Sequence, residues 1–184
     1  MNETEETAEN GNEASEDVGV RQTLAEIEEM LDDDDKFWEK TTQAGLDELI
    51  KGHDDYLDGL LGSKRASLKF RDMSYLDFAG CNLSQADLTG ARLGHASLDD
   101  TVLRAANLFA ADLRFVTLNG ADLVRADLRG ACMRGADLTG ADLTEADMRD
   151  GLLMRSVEKG DLVPVMSQVE SGSLDKATLK GADL

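Results

Sequence analysis

The chain has 184 residues, of which 4% are aromatic, and its formal net charge is −19 at pH 7. This length suits one domain with extensions, and so few aromatic side chains exclude a core built on large rings. The charge is uneven, because residues 1–63 hold 20 acidic and 4 basic side chains whereas residues 64–154 hold 13 and 11. The acidity is therefore a property of the N-terminal third, and a functional argument from the net charge of the whole chain would misplace it.

The first residues, MNETEETAEN, contain no basic segment, and no apolar segment follows them, so we expect no signal peptide. No stretch approaches the roughly 18 apolar residues of a membrane span. Cys81 and Cys132 are the only cysteines, too few for a disulfide framework, which fits a reducing compartment. The sequence therefore predicts a cytoplasmic protein without a membrane partner. Residues 1–19 contain little that can be buried and are predicted to be a disordered acidic tail.

Residues 20–63 are predicted to form a helical N-terminal cap region. Thr23 and Glu26 have the spacing of a capping box. The segment 45–61 has one apolar face and is predicted to be a helix that ends at Gly62. That face contains Leu46, Leu49, Ile50, His53, Leu57, Leu60 and Leu61. We expect this helix to cover the open end of the repeats that follow. Within it, His53 is expected to be a packed side chain rather than a metal ligand.

The run DDDDK, Asp32 to Lys36, has three possible meanings: a cation site, a protease cleavage scar, or solvated charge. It lacks the alternating ligands and the glycine of a calcium loop, and no familiar tag precedes it. Solvated charge is the favoured interpretation, because such runs are common in acidic linkers.

A five-residue repeat fills residues 64–154. Eighteen consecutive fifth positions, from 68 to 153, hold 14 Leu, three Met and Phe78. Two positions before this central residue stands Ala in 12 units, and directly before it stands Asp or Asn in 11. A spacing of five fits neither a helix face nor a strand face. The chain must therefore turn a corner every five residues to keep all central side chains inside.

This pattern, A(D/N)LxX, resembles the pentapeptide repeat family, and the units ADLTG, ADLRG and ANLFA match it directly. The resemblance implies an all-β solenoid, the right-handed quadrilateral β-helix, in which four units form one coil. Eighteen units then give about 4.5 coils and a tube of roughly 22 Å at the ~4.8 Å spacing of neighbouring strands. The predicted fold is this tube with an N-terminal α-helical cap and the acidic tail.

Departures from the pattern locate irregular points. Arg71 occupies a slot where a small inward residue is expected, and Thr101 and Val116 occupy the same kind of slot. Residues 155–171 break the spacing, so we expect a non-repeat excursion formed by a loop or a short helix. Residues 172–184 resume the repeat and stop within a unit. Three interpretations remain open for the last apolar layer of the tube: the excursion covers it, a second subunit covers it, or the sequence is a fragment. Resemblance to the family implies that a homodimer through the C-terminal coil is one possibility, because family members often dimerise there.

If four units form a coil, residues twenty apart stack in columns on the outer surface. One face then carries a candidate partner-binding set: Arg92, Arg114, Arg134 and, if the coil continues, Arg155, beside an aromatic column of Tyr75, His95 and Phe115. The next face carries Asp77, Asp99, Asp100 and Asp137 and no basic residue. Arg and aromatic side chains supply most of the binding energy in interfaces, although stacked columns also stabilise neighbouring coils without any partner.

The sequence contains no arrangement typical of an enzyme. Two histidines cannot build a metal site, and no phosphate-binding loop or nucleophile motif is present. Cys132 is predicted to point outward and Cys81 inward. We expect no cofactor, no catalytic residue and no direct binding of nucleic acid. The favoured function is a non-catalytic protein-protein interaction scaffold with an unidentified protein partner. The alternative is a DNA-mimic modulator of a type II topoisomerase, which the family resemblance implies but the near-neutral tube disfavours.

Overall fold

The computed structural model describes residues 38–151, 154–156, 162–164 and 178–179, all of which belong to the unit Trp38–Leu184. In chain order they form β1 (Glu39–Lys40), α1 (Gln43–Leu57), β2 (Arg71–Asp72), β3 (Met154–Ser156) and β4 (Leu162–Pro164). The predicted tail, the helical signals from residue 20 and the Asp32 to Lys36 run lie outside the described residues.

Helix α1 begins two residues before the predicted segment and ends four residues before its predicted end. The side chain of Thr42 caps the N-terminus by accepting a hydrogen bond from the Gly45 N–H at 3.2 Å. The helix stops at Leu57 because Gly59 adopts a φ of 75°. Leu60 and Leu61, which fit the predicted apolar face, therefore lie beyond the helix and are 55% and 105% exposed.

The repeat region pairs with itself at a constant offset of twenty residues. Parallel bridges join Ser67 to Asp87, Asp87 to Asn107 and Asn107 to Asp127, and the same offset holds from Asp72, Asp77 and Asn82. Most of these pairings are single bridges, and the named strands contain only two or three residues. Each five-residue unit thus contributes one bridge and one two-residue turn, and four units make one coil of a solenoid.

The four units of a coil define four sides, named here by their central residues. Side A contains 68, 88, 108 and 128; side B contains 73, 93, 113 and 133; side C contains 78, 98, 118 and 138; side D contains 83, 103, 123 and 143. All sixteen central side chains are at most 2% exposed. The predicted inward column of central residues is therefore the core, and the small Ala residues beside it complete the packing.

The N-terminal end of the first coil is covered by β1 and α1. Strand β1 pairs in parallel with β2, with Glu39 opposite Arg71, and thereby extends side B by one layer. On side C, the Gln43 side chain accepts from the Asp77 N–H and donates to the Asp77 carbonyl, both at 2.9 Å. Leu46 is fully buried against the first coil. These contacts satisfy backbone groups that have no preceding coil to pair with.

Three residues that break the repeat pattern are accommodated locally. Arg71 lies at the junction with β1, where its guanidinium is 3.1 Å from the Glu39 carboxylate. Thr101 is fully buried, and its hydroxyl donates to the Phe78 carbonyl at 2.9 Å. Val116 is fully buried within the core. The inward slot therefore accepts a β-branched side chain when any polar atom finds a partner.

Beyond the spacing break, the described residues form a strand pair and then rejoin the register of the tube. Strands β3 and β4 pair antiparallel, with Arg155 opposite Val163, where the sequence predicted a loop or a short helix. Thr178 then forms a parallel bridge with Asp137, 41 residues further along the chain instead of twenty. Its N–H donates to the Ala136 carbonyl at 2.9 Å. The chain thus returns to side C after a separation that is one residue more than a multiple of five.

Candidate partner-binding groove

An open groove of about 510 Å³ runs along side B. It is lined by Asp72, Ser74, Tyr75, Arg92, Gly94, His95, Asp112, Arg114 and Phe115. These residues come from three successive coils, so the groove follows the tube axis. Five of the seven residues predicted as the partner-binding set line it: Arg92, Arg114, Tyr75, His95 and Phe115.

One wall of the groove is a stack of three aromatic rings. The ring centroids of Tyr75 and His95 are 5.0 Å apart with planes inclined by 4°, and those of His95 and Phe115 are 5.0 Å apart with planes inclined by 14°. Tyr75 is 75% exposed and Phe115 is 47% exposed. The predicted aromatic column is therefore formed, and it presents its ring edges to solvent. We call it the aromatic ladder.

The ladder ends where the column reaches a glycine. A Cβ added at Gly135 would come within 2.5 Å of the Phe115 ring, so the missing side chain leaves room for that ring to lie on the backbone of the next coil. Gly135 also has a φ of 71°, which glycine adopts without strain. The stack is thus limited to three coils.

The opposite wall contains Arg92, which lies on an indole that sequence analysis missed. The Arg92 guanidinium carbon is 3.6 Å from the centre of the Trp38 ring. Trp38 is 4% exposed, and its Nε1 donates to the Gly90 carbonyl at 2.7 Å. Trp38 precedes the repeats and has no fixed spacing to them, so the repeat register could not predict its contact with Arg92. The only signal for a special role was that Trp38 is the single tryptophan in the sequence.

Arg114 is held by a fork of hydrogen bonds to its neighbour. Its Nε and Nη2 donate to the two oxygens of Asp112 at 2.8 and 2.6 Å. Asp112 is 4% exposed, so this pair is partly shielded from water. Arg134 stands one coil below Arg114 in the same column, outside the groove lining. The side chain of Arg155 lies outside the described residues.

Side B is the only one of the four sides with more basic than acidic residues among residues 66–150. It carries Arg71, Arg92, Arg114 and Arg134 against Asp72 and Asp112. Side C carries four aspartates and no basic residue in the same range. Their oxygens are used locally: Asp99 accepts from the N–H and the side-chain amide of Asn119 at 2.9 and 3.0 Å. The predicted difference in charge between neighbouring sides is present in these residues.

The burial of the two cysteines differs from what their slots in the repeat suggested. Cys132 is fully buried and Cys81 is partly exposed. The slot of Cys132 lies in the same column as that of Asp112, with which it forms a parallel bridge. Cys81 belongs to the first coil, which has no preceding coil to cover it. Burial and the charges of Asp54 and Asp77 raise the pKa of the Cys81 thiol, which disfavours the reactive thiolate.

The described residues contain no group of three His, Cys, Asp or Glu side chains that could hold a metal ion. No helix in the described part of the chain has the length and apolar character to cross a bilayer. Asp72, Asp112 and Gly94 also line the groove although sequence analysis did not select them. The aspartates were assigned only to the turns of the repeat, and a glycine in a variable position gave no signal.

Comparisons with known proteins identify similar chains. The family model described as pentapeptide repeats matches in eight copies, over residues 66–104, 86–123, 106–145 and 121–155. A comparison with curated protein sequences found no match. Among solved structures, alr5209, a pentapeptide repeat protein from Nostoc PCC 7120, is 34% identical over 59% of this chain and 88% of its own, with a TM-score of 0.45.

Two further solved structures are similar over a smaller share of their length. HetL, a pentapeptide repeat protein involved in heterocyst differentiation regulation in Nostoc sp. strain PCC 7120, is 36% identical over 64% of this chain and 44% of its own, with a TM-score of 0.44. A pentapeptide repeat protein of the Arabidopsis thaliana thylakoid lumen is 27% identical over 60% of this chain and 59% of its own, with a TM-score of 0.42. The chain thus spans about half the length of these two proteins.

Proposed function

Because the chain belongs to the pentapeptide repeat family, we propose that it is a non-catalytic scaffold that binds a partner protein through the groove on side B. The finer form of the tube, a right-handed quadrilateral β-helix, is part of this proposal and is supported by the twenty-residue register. The partner is a protein; nucleic acid, membranes and cofactors take no part. Its setting is the cytoplasm, where Cys81 and Cys132 stay reduced.

The observation that carries the proposal is the exposed aromatic ladder in the same groove as Arg92 and Arg114. Stacking between coils uses the ring faces of Tyr75, His95 and Phe115, but their edges and the groove beside them remain open to solvent. A stack that served only to stabilise neighbouring coils would do so equally well if the rings were buried. Exposed aromatic side chains next to arginines are the residues that interfaces use most.

The experiment removes the ladder without changing the backbone. All three ladder residues have a positive φ, between 57° and 65°, which is the region that glycine favours. The double variant Tyr75→Gly with Phe115→Gly should therefore keep the fold. The matched control is Gln85→Gly with Ala105→Gly, which changes the same turn position on side D, where φ is also positive.

Immobilised full-length protein is exposed to native lysate, and the bound proteins are quantified for wild type, ladder variant and control. We expect a partner that the wild type and the side D control retain and the ladder variant loses at least about tenfold, a change of ~1.4 kcal/mol. Equal retention by both variants would place binding elsewhere. Reversal of Arg114 is a poorer probe, because a carboxylate there would face the buried Asp112.

The alternative function, modulation of a type II topoisomerase by DNA mimicry, finds its support in the acidic residues of side C. Mimicry requires regular negative charge along the tube, but Asp77, Asp99 and Asp137 accept hydrogen bonds from backbone N–H groups next to them, and side B is basic. The expected result of a supercoiling assay at saturating protein is no effect. A homodimer through the C-terminal coil is a separate proposal, which sedimentation of the full chain at increasing concentration tests.

A further inference from the structure

A second open depression lies at the N-terminal end of the tube, between α1 and the segment 63–67 that leads into the first coil. Its volume is about 330 Å³, and we call it the cap pocket. Leu49, Gly52 and Ala66 supply apolar lining, and Leu49 also packs against the core. The cap pocket shares no lining residue with the groove on side B. It is therefore a separate surface of the molecule.

The loop between the two walls of the cap pocket exposes two leucines. Leu60 is more than half exposed, and Leu61 is fully exposed. The pair is flanked by Gly59 and Gly62, whose φ values are 75° and 91°, and Ser63, the next residue, lines the cap pocket. We call Leu60 and Leu61 the leucine knob. Exposed apolar side chains beside an apolar depression are typical of an interaction site.

The two walls of the cap pocket carry opposite charges. Glu48 and Asp55 stand seven residues apart on one face of α1, and Lys64 and Arg65 stand on the opposite wall. The side chains of Glu48, Asp55 and Lys64 form no hydrogen bond or ion pair with any residue that the structure describes. Arg65 reaches the Asp87 carboxylate only at 3.7 Å. Both signs of charge are thus available to an incoming molecule, on separate walls.

This separation of charge favours a second copy of the chain as the occupant. A partner with only one sign of charge would be repelled by one of the two walls. A second copy related by a two-fold axis sets its basic wall against the acidic wall of the first, and its acidic wall against the basic one. The leucine knob directly precedes one wall of the cap pocket in the chain. The same two-fold axis therefore brings each knob to the pocket of the other copy.

We propose that two copies of the chain form a symmetric dimer through the cap pocket. Lys64 of each copy pairs with Asp55 of the other, and Leu61 lies in the facing pocket against Leu49 and Ala66. The contact uses no residue of the groove on side B. Such a dimer presents two grooves, and it binds a partner that carries two matching segments more tightly than one copy does. The contact does not depend on what the groove binds, so its failure leaves the proposed function intact.

An exchange of charges tests the pairing. Asp55→Lys and Lys64→Glu each set like charges against each other at both contacts of a symmetric dimer. A mixed dimer of the two variants restores two pairs of opposite charge. Both variants should fold, because Asp55 lies in the last turn of α1, where a cation is favoured, and Lys64 is exposed. The matched control is Lys51→Glu, since Lys51 is exposed on α1 but does not line the cap pocket.

Sedimentation equilibrium of the full chain, up to about 0.5 mM protein, measures the dissociation constant of the dimer. We expect equal constants for wild type and Lys51→Glu, and association at least about tenfold weaker for Asp55→Lys and for Lys64→Glu. An equimolar mixture of these two variants should regain the wild-type affinity. Leu61→Ser removes a side chain that has no place in the core and should also weaken association. Circular dichroism reports whether each variant keeps the fold.

A wild type that stays monomeric over this range would overturn the proposal. A dimer that none of the variants weakens would do the same, because its contact would then lie elsewhere, as at the C-terminal coil. If both charge variants fold but their mixture does not recover, Lys64 and Asp55 do not pair across the contact. An unchanged dissociation constant in Leu61→Ser would likewise contradict the seating of the leucine knob in the facing pocket.

Discussion

The backbone N–H of Ala66 donates to Nδ1 of His53 across 3.1 Å, at the point where the cap helix meets the first coil. Nε2 of the same ring is 3.0 Å from the Ser84 carbonyl. Because Nδ1 accepts, the neutral ring carries its proton on Nε2 and donates it to Ser84. His53 is fully buried, so one imidazole connects α1 to two segments of the tube.

This arrangement predicts acid sensitivity of the cap. Burial lowers the pKa of His53 below its usual value of 6.5, so the unfolded chain takes up the proton first. The contribution of His53 to stability is therefore complete above about pH 6.5 and falls as the pH drops toward the lowered folded-state pKa. Urea unfolding of wild type between pH 7 and 5 should show this loss, and in His53→Gln this part of the pH dependence should be absent.

The cost of losing the ring is a second expected result. His53→Ala removes the acceptor of the Ala66 N–H and opens a cavity, and the free energy of unfolding should fall by about 2 to 4 kcal/mol. His95, the only other histidine, supplies the control, because it is exposed on the ladder. A His95→Ala variant that is destabilised as much as His53→Ala would contradict the structural role assigned to His53.

The sequence predicted the parts of the fold that repeat. Central residues such as Leu118 recur at every fifth position, and only a chain that turns at every fifth residue can bury all of them. The core could therefore be predicted from the spacing alone. The end of α1 did not follow, because Leu60 and Leu61 fit the apolar stripe while Gly59 terminates the helix before them. The register also placed the aromatic ladder. The Trp38 contact escaped prediction, because the indole reaches Gly90 across 52 residues of sequence.

Core variants should separate packing from charge burial. Leu118 is 1% exposed at the middle of side C. Leu118→Ala should lower the free energy of unfolding by about 3 to 5 kcal/mol through lost burial and the cavity that remains. Leu118→Asp should prevent folding of the tube, because the charge has no partner inside it. Circular dichroism and urea titration measure both, and a folded Leu118→Asp variant would be incompatible with the inward assignment of central residues.

Asn119, directly after Leu118, is outside the core but is not a neutral position. Its N–H and its Nδ2 both donate to Oδ1 of Asp99 at 2.9 and 3.0 Å. Asn119→Asp would remove the second bond and place two carboxylates together, so stability should fall by about 1 to 3 kcal/mol at pH 7. Asn119→Ala, which loses the bond without adding charge, should be affected less.

Acidification should also weaken the tube through its Asp–Arg pairs. The hydrogen bonds from Arg149 lower the pKa of Asp147 to about 2, against a partly opposing effect of burial. Hydrogen bonds from Arg129 and Thr144 likewise lower the pKa values of Asp127 and Asp142. Because these folded-state pKa values lie below those of the unfolded chain, their contribution to stability is complete above about pH 4 and is lost as the pH falls toward 2.

NMR titration of the carboxyl groups tests this assignment directly. The Asp147 carboxyl should titrate near pH 2 in wild type, and Arg149→Gln should raise its pKa toward the ordinary value of 3.8. Arg125→Gln is the matched control, since Arg125 pairs with Glu145, at 2.6 Å, and should leave Asp147 unchanged. If the pKa of Asp147 is unchanged in Arg149→Gln, the hydrogen bonds from Arg149 are not the cause of the low pKa.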